Sequence, residues 1–172
     1  MYNYNSAVKL QQLCEKELYE QAKKIYDYNQ ENGYPLMIFE IIKEYVVTYN
    51  YNNIISIYSD EYIFEGGAHG NTLRYSQNWN LQQGRMIELS EFYKRKPNYV
   101  SEILKEINNQ IKDNIQKGNN IYFEDPCCLT SAMFRIENYY LHGEFIAIFY
   151  QQYDIAPYSS GIQVFYMPYG KR

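Results

Sequence analysis

Leu141-His142-Gly143-Glu144, followed by Phe145-Ile146-Ala147-Ile148-Phe149-Tyr150-Gln151, is the most telling stretch of this chain. A glycine among polar residues reads as a hairpin turn, and the apolar run after it reads as a strand at the centre of a sheet. Short turns impose antiparallel pairing, because a parallel neighbour needs a long crossover. Met133 to Leu141 is strand-like on the near side, and Ile162 to Met167 closes the chain as another strand.

The same style runs through the first half. Ile38 to Asn50 is rich in Ile, Val, Tyr and Phe and reads as a long strand. Tyr51-Asn52-Asn53 offers a turn, and Ile54 to Phe64 returns as a second strand. Thr72 to Leu81 alternates, with Leu73, Tyr75, Trp79 and Leu81 on one side, and Gln82-Gln83-Gly84 turns it into Arg85 to Ile87. Two segments switch to helical spacing. Ala7, Leu10, Cys14, Leu18, Ala22 and Ile25 recur at three- and four-residue steps, with Asn5 or Ser6 as the cap and Gly33 and Pro35 beyond the end. Val100, Ile103, Leu104, Ile107, Ile111 and Ile115 form the second stripe, from Pro97 to Gly118. A short helix covers Ser90 to Lys94. The pattern predicts an α+β fold: an antiparallel β-sheet with two long amphipathic helices packed on one face.

Length and composition set bounds on function. A chain of 172 residues fits a single domain over 1–172, able to bury roughly two thirds of its unfolded surface. Tyrosine occurs 22 times, and its apolar ring and polar tip suit sheet faces and wet binding surfaces. The formal net charge of -4 argues against nucleic acid, which needs a basic face. Lys94, Arg95 and Lys96 form a basic run beside Pro97 that reads as a solvated loop. The 3 cysteines make no disulfide framework. Cys14 falls on an apolar helix face as a buried thiol, and the adjacent Cys127 and Cys128 are poorly spaced for a metal or a disulfide. No segment approaches the roughly 20 apolar residues of a membrane span. The polar start, Met1-Tyr2-Asn3-Tyr4-Asn5, lacks a signal-peptide pattern, so the chain as it stands points to the cytoplasm.

Two stretches stand out as candidate sites. Glu65-Gly66-Gly67-Ala68-His69-Gly70-Asn71 permits positive φ and close backbone approach, as an irregular connection or as a recognition loop. It lacks the glycine spacing and lysine of a phosphate-binding loop. His69 has the chemistry of an acid, base or metal ligand. Asp60, Glu61 and Glu65 lie near it in sequence, but no ligand-spacing motif gathers them, and a local hydrogen-bonding role is the simpler reading. Asp60, Glu65, Glu144 and Asp154 form no selected pair for glycoside hydrolysis. No nucleophile motif occurs, so neither catalytic residues, nor a cofactor, nor a metal site are assigned. The second stretch runs from Phe149 to Gly161, where Pro157 restricts Ala156 and Gly161 permits a turn. Tyr153 and Tyr158 flank that corner, either wedging it or offering an aromatic contact surface.

In order, Gly66 to Asn71, Trp79 to Phe92 and Phe149 to Pro168 resemble blocks of the extracytoplasmic domain of RsiV-type anti-sigma factors, which also precedes the catalytic part of PdaC-type peptidoglycan deacetylases. The resemblance spans most of the chain from about Tyr45 onward, with the N-terminus short relative to the family. It implies an α+β fold, a cell-surface setting in Gram-positive bacteria, and binding of lysozyme without catalysis. The deacetylase active site of such proteins lies in another domain. The transmembrane and sigma-binding segments of an anti-sigma factor are not in this sequence. The resulting expectation is a non-catalytic binding or sensing domain for lysozyme or a peptidoglycan-related glycan. Its surface would include Gly66, Gly67, Ala68, His69, Asn71, Tyr153, Pro157 and Tyr158. The alternatives are a wall-polysaccharide enzyme using His69 with a nearby carboxylate, and a cytoplasmic structural or regulatory protein that has lost the ligand. Oligomeric state is left open.

Overall fold

The computed structural model describes residues 4–34, 40–94 and 96–168. Its helices are α1 (Tyr4–Glu31), α2 (Tyr99–Gln116) and α3 (Pro126–Met133). The strands are β1 (Glu40–Tyr51), β2 (Ile54–Phe64), β3 (Asn71–Asn80), β4 (Arg85–Met86), β5 (Tyr139–His142), β6 (Phe145–Tyr150) and β7 (Gln163–Pro168). The α+β class is as expected. The single sheet is not: there are two, a four-stranded one ordered β1-β2-β3-β4 and a three-stranded one ordered β5-β6-β7.

The chain forms two compact units. The smaller comprises Met1–Ile42 with Tyr62–Gly70, and the larger Lys43–Glu61 with Asn71–Arg172. In the smaller unit α1 half-buries Leu18, Ala22 and Ile25 from its apolar stripe and leaves Leu13, Tyr19 and Tyr28 exposed. The helix already includes Asn5 and Ser6, so neither is its cap. Gly33, at φ 68, ends it, and the Tyr34 amide donates back to the Asn29 carbonyl. The expected burial of the Cys14 thiol lies outside the described side chains.

In the larger unit the opening stretch behaves as read. Gly143, at φ 57, turns β5 into β6, and His142 pairs with Phe145. β6 is central, with Ile148 opposite Tyr139 on one side and Phe165 on the other. One face of this sheet receives Ile103, Ile107 and Ile111 of α2, which pack with Leu141, Ile146, Ile148, Tyr150, Phe165 and Met167 as the main core. So α2 docks as the amphipathic stripe requires.

Met133 to Leu141 departs from the strand reading. Its beginning belongs to α3, and β5 starts only at Tyr139. Asp125 caps α3, accepting from the Cys128 amide at 3.3 Å, and Pro126 opens the first turn. That Asp-Pro signal marks a helix start ahead of the apolar residues. Cys127 and Cys128 sit on this first turn as free thiols, the second exposed.

A second departure explains the two sheets. The alternating side of β3 that carries Leu73, Tyr75, Trp79 and Leu81 is the more open one, with Tyr75 and Leu81 exposed. It is the polar side that turns inward: Asn78 is buried, and so is Ser56 of β2. Ser56 Oγ donates to Asn78 Oδ1 at 2.6 Å, and Asn78 Nδ2 donates to the Tyr139 carbonyl at 3.0 Å. The Leu141 amide donates to Ser56 Oγ at 2.8 Å. The outer edge of β5 is thus satisfied by side chains instead of a ladder. Buried backbone groups demand partners, and these two polar residues supply them.

Candidate functional site

The glycine loop follows β2 in the smaller unit. Gly66 and Gly67 take φ values of 89° and 108°, reserved in practice for glycine. Gly70 is buried, and a Cβ there would overlap the Tyr62 ring and come within 2.6 Å of the Ile63 carbonyl oxygen. The loop therefore closes tightly on the strand before it. Ala68 and His69 are exposed, and His69 Nδ1 donates to the Gly70 carbonyl at 3.1 Å. Among the described residues no group of three or more His, Cys, Asp or Glu side chains gathers as a metal site.

The tyrosine corner lies in the larger unit. Tyr153 adopts φ 67, unusual for a bulky residue, and stays half exposed with its ring 5.7 Å from that of Tyr158. Ile155 and Ala156 are buried and plug the core beneath the corner, and Tyr158 is half-buried beside them. Pro157 is exposed and leads into a short 3₁₀ turn, Tyr158–Ser160. The Gln151 amide donates to Asp154 Oδ2 at 2.8 Å, which locks the turn. Burial raises the Asp154 pKa, while the Gln151 amide and the charge of Arg135 oppose that rise.

Corner and β3 are clamped together by two glutamines. Gln152 Oε1 accepts from the Thr72 amide, and Gln151 accepts from the amide of Arg74 and donates to its carbonyl. The side-chain amides act as a surrogate strand on the β3 edge. They bring Asn71, beside Thr72, to the neighbourhood of Tyr153. Gly66, Gly67, Ala68 and His69 belong to the smaller unit.

From this clamp a strip of rings runs along the face of the three-stranded sheet opposite α2. Arg74 forms a bidentate pair with Asp60, at 2.7 Å from Nε and 2.6 Å from Nη2. Its guanidinium lies 3.9 Å from the Tyr58 ring centroid. Burial opposes the Arg74 charge, but the hydrogen bonds and charge of Asp60 outweigh it, and the pKa is raised. Tyr58 packs on Tyr140 at 5.0 Å, and Tyr140 and Tyr166 flank the small Ala147 on the neighbouring strands. Tyr166 then meets His142 at 5.8 Å and Phe145 at 6.2 Å. The strip is buried at Tyr140 and Phe149 and opens to solvent at its far end, where Phe145 is 42% and Tyr166 40% exposed.

These rings were not singled out from sequence. The signal is the alternation in β5 to β7, in which Tyr140, His142, Phe145, Phe149 and Tyr166 share one side. An apolar central strand masks it, because both its faces look alike.

Buried phenols also give the larger unit a pH signature. Burial raises the pKa values of Tyr139, Tyr140 and Tyr150, and pushes Tyr93 up to about 12. A raised folded-state value means stability complete below the unfolded tyrosine value of about 10 and lost as pH climbs above it. Thermal melts followed by circular dichroism should show the midpoint falling steadily above about pH 10. Tyr93→Phe should shallow that fall; an unchanged slope would contradict the assignment.

Comparisons with known proteins agree with this architecture. Residues 3–72 match the family model described as "Deacetylase PdaC", and residues 90–170 match "Protein of unknown function (DUF3298)". These matches support the shared domain. The chain is 21% identical over 150 residues to the peptidoglycan-N-acetylmuramic acid deacetylase PdaC of Bacillus subtilis (strain 168), covering 86% of this chain and 31% of that protein. It thus spans under a third of that relative's length. A crystal structure of a DUF3298 family member from Bacteroides fragilis NCTC 9343 superposes with a TM-score of 0.58 at 18% identity, over 98% of this chain and 67% of the other. A DUF3298 family protein from Pseudomonas aeruginosa PAO1 gives 0.57 at 18% identity, over 76% of this chain and 58% of that one. At such identities the likeness concerns the fold. No helix among the described residues is long and apolar enough to cross a membrane.

Proposed function

We propose that this chain is a non-catalytic recognition domain that binds a peptidoglycan-related glycan along the aromatic strip of its larger unit. The observation that carries the reading is the exposed cluster of Phe145, Tyr166 and His142 on a rigid sheet, continuous through Tyr140 and Tyr58 with the Arg74–Asp60 pair. Flat rings suit the apolar faces of sugars, and a fixed guanidinium–carboxylate pair suits their hydroxyl and amide groups. The relative from Bacillus subtilis carries peptidoglycan in its name, which supplies the wall context.

Asn71, Tyr153, Pro157 and Tyr158 form the other end of this surface in the proposal, next to the glutamine clamp. Gly66, Gly67, Ala68 and His69 offer a separate contact loop. A wall-directed protein such as lysozyme is the second occupant to test, favoured by the resemblance to RsiV-type domains. The enzyme reading turns on an acid aligned with His69, whose Nδ1 donates to the Gly70 carbonyl at 3.1 Å.

Isothermal calorimetry with a peptidoglycan disaccharide–tetrasaccharide series and with lysozyme separates the readings. Saturable glycan binding is expected, weakened roughly tenfold by Tyr166→Ala or Phe145→Ala, the loss of one ring contact of about 1–1.5 kcal/mol. Both side chains are half exposed, so melting should change little. Binding of lysozyme alone, insensitive to these variants, would move the function to another surface.

A further inference from the structure

Along β3, alternate residues turn their amide and carbonyl groups away from β2. In this series the Thr72 amide donates to Gln152 Oε1 at 2.9 Å, and the Asn78 carbonyl accepts from the Ile87 amide at 2.8 Å. Arg74, between them, is met by a single carboxamide. Gln151 Oε1 accepts from its amide at 2.9 Å, and Gln151 Nε2 donates to its carbonyl at 2.7 Å. Ser76 is the remaining member of the series. Its hydroxyl donates to the Glu137 carbonyl at 3.1 Å, while among the described residues no protein group meets its amide or its carbonyl. Ser76 lines a cavity of about 460 Å³ between β3, the segment from β4 into the 3₁₀ turn Leu89–Tyr93, and the turn preceding β5. Met86, Ile87, Ile136 and Tyr139 supply its apolar walls, with Met86 and Ile136 each 49% exposed at the mouth. Glu88 and Glu137 stand exposed at the rim, and Glu88 is engaged as the cap of the 3₁₀ turn, so charge does not select the occupant.

We propose that this cavity binds a small apolar primary carboxamide, held on the open rung at Ser76 as Gln151 is held at Arg74. A primary carboxamide presents its oxygen and one N–H along the same edge, which is the pair that the amide and carbonyl of one strand residue require. A trans secondary amide points those two groups in opposite directions and satisfies only one of them. The open rung is single. Gln151 occupies the edge before it and Ile87 the edge after it, so a peptide strand cannot pair along β3 there. The apolar body of the ligand lies between Ile87, Ile136 and Tyr139, and apolar walls around a few placed polar groups are the usual make-up of a small-molecule site. This pocket is independent of the glycan reading and shares no lining residue with the aromatic strip.

The test is an amide-resolved NMR titration of the full chain with benzamide, N,N-dimethylbenzamide and benzoate. Benzamide should bind saturably and move the Ser76 amide proton downfield, with the other shifts grouped at residues 86–89 and 136–139. The two analogues lack the N–H donor for the Ser76 carbonyl and should bind at least roughly tenfold more weakly. Ile136→Trp narrows the mouth at an exposed position and should weaken benzamide by a similar factor, with the spectrum elsewhere unchanged. An unmoved Ser76 amide, equal binding of an analogue, unchanged affinity in the Ile136 variant, or no saturable shift up to the solubility of benzamide would overturn the proposal. None of these outcomes bears on glycan binding at Tyr166, which is read separately by calorimetry.

Discussion

Asn78→Ala is expected to lower the stability of the larger unit by about 2–4 kcal/mol, because it strands two buried groups at once. The Tyr139 carbonyl loses its donor at 3.0 Å, and the Ser56 hydroxyl loses its acceptor at 2.6 Å. Both Asn78 and Ser56 are at most 2% exposed, so the loss falls on buried groups. Denaturant titration measures the change, and the thermal midpoint should fall by roughly 5–15 °C. Ser56→Ala should also destabilise, since it removes the acceptor for the Leu141 amide. The double variant should cost less than the sum of the two, because the hydroxyl and the amide partner each other. Additive effects, or a loss below about 1 kcal/mol for Asn78→Ala, would mean the sheets are not held by this network.

Ile107→Ala is expected to cost about 2–5 kcal/mol. Ile107 is fully buried in the middle of the α2 stripe, against the sheet centred on β6. Truncation removes apolar contact and leaves a cavity that a helix held on both sides by Ile103 and Ile111 cannot collapse into. Ile115→Ala, on the same stripe but at the exposed end of the helix, should change stability by less than about 1 kcal/mol. Comparable losses at both positions would contradict the docking described for α2.

Periodicity carried much of this architecture. β2 spans Ile54–Phe64 as read, and the remaining expected strands shift by one residue at most, apart from Met133 to Leu141 and from Ile38 and Phe39, which lie outside the described residues. The Asn52-Asn53 turn takes the two positive φ values, 56° and 60°, that a tight hairpin asks of asparagine. Where the reading failed, a competing local signal was present. Asp125-Pro126 starts α3, yet the aromatic run that follows suggested a strand reaching back to Met133.

The candidate site was legible only in part. Tyr153 and Tyr158 do form an aromatic pair, and the glutamine clamp ties their corner to Thr72 beside Asn71. Nothing in the spacing of Tyr58, Arg74, Tyr140 and Tyr166 announces that they meet, since they come from β2, β3, β5 and β7. The cavity beside Ile87 and Tyr139 was equally hidden, because its walls come from β3, the segment after β4 and the turn before β5.

The apolar hairpin from Leu141 to Gln151 shows where local information ends. Residue order alone specified its turn, its antiparallel pairing and its place as a sheet centre, because backbone geometry at Gly143 and unbroken apolarity are local properties. Which side of β3 faces inward was decided by tertiary structure. The β5 edge presents backbone donors and acceptors that must be satisfied when buried, and that demand outweighs the preference for turning Leu73, Tyr75 and Trp79 toward the core. Polar side chains went inside, the second sheet separated from the first, and the aromatic strip was formed by that choice.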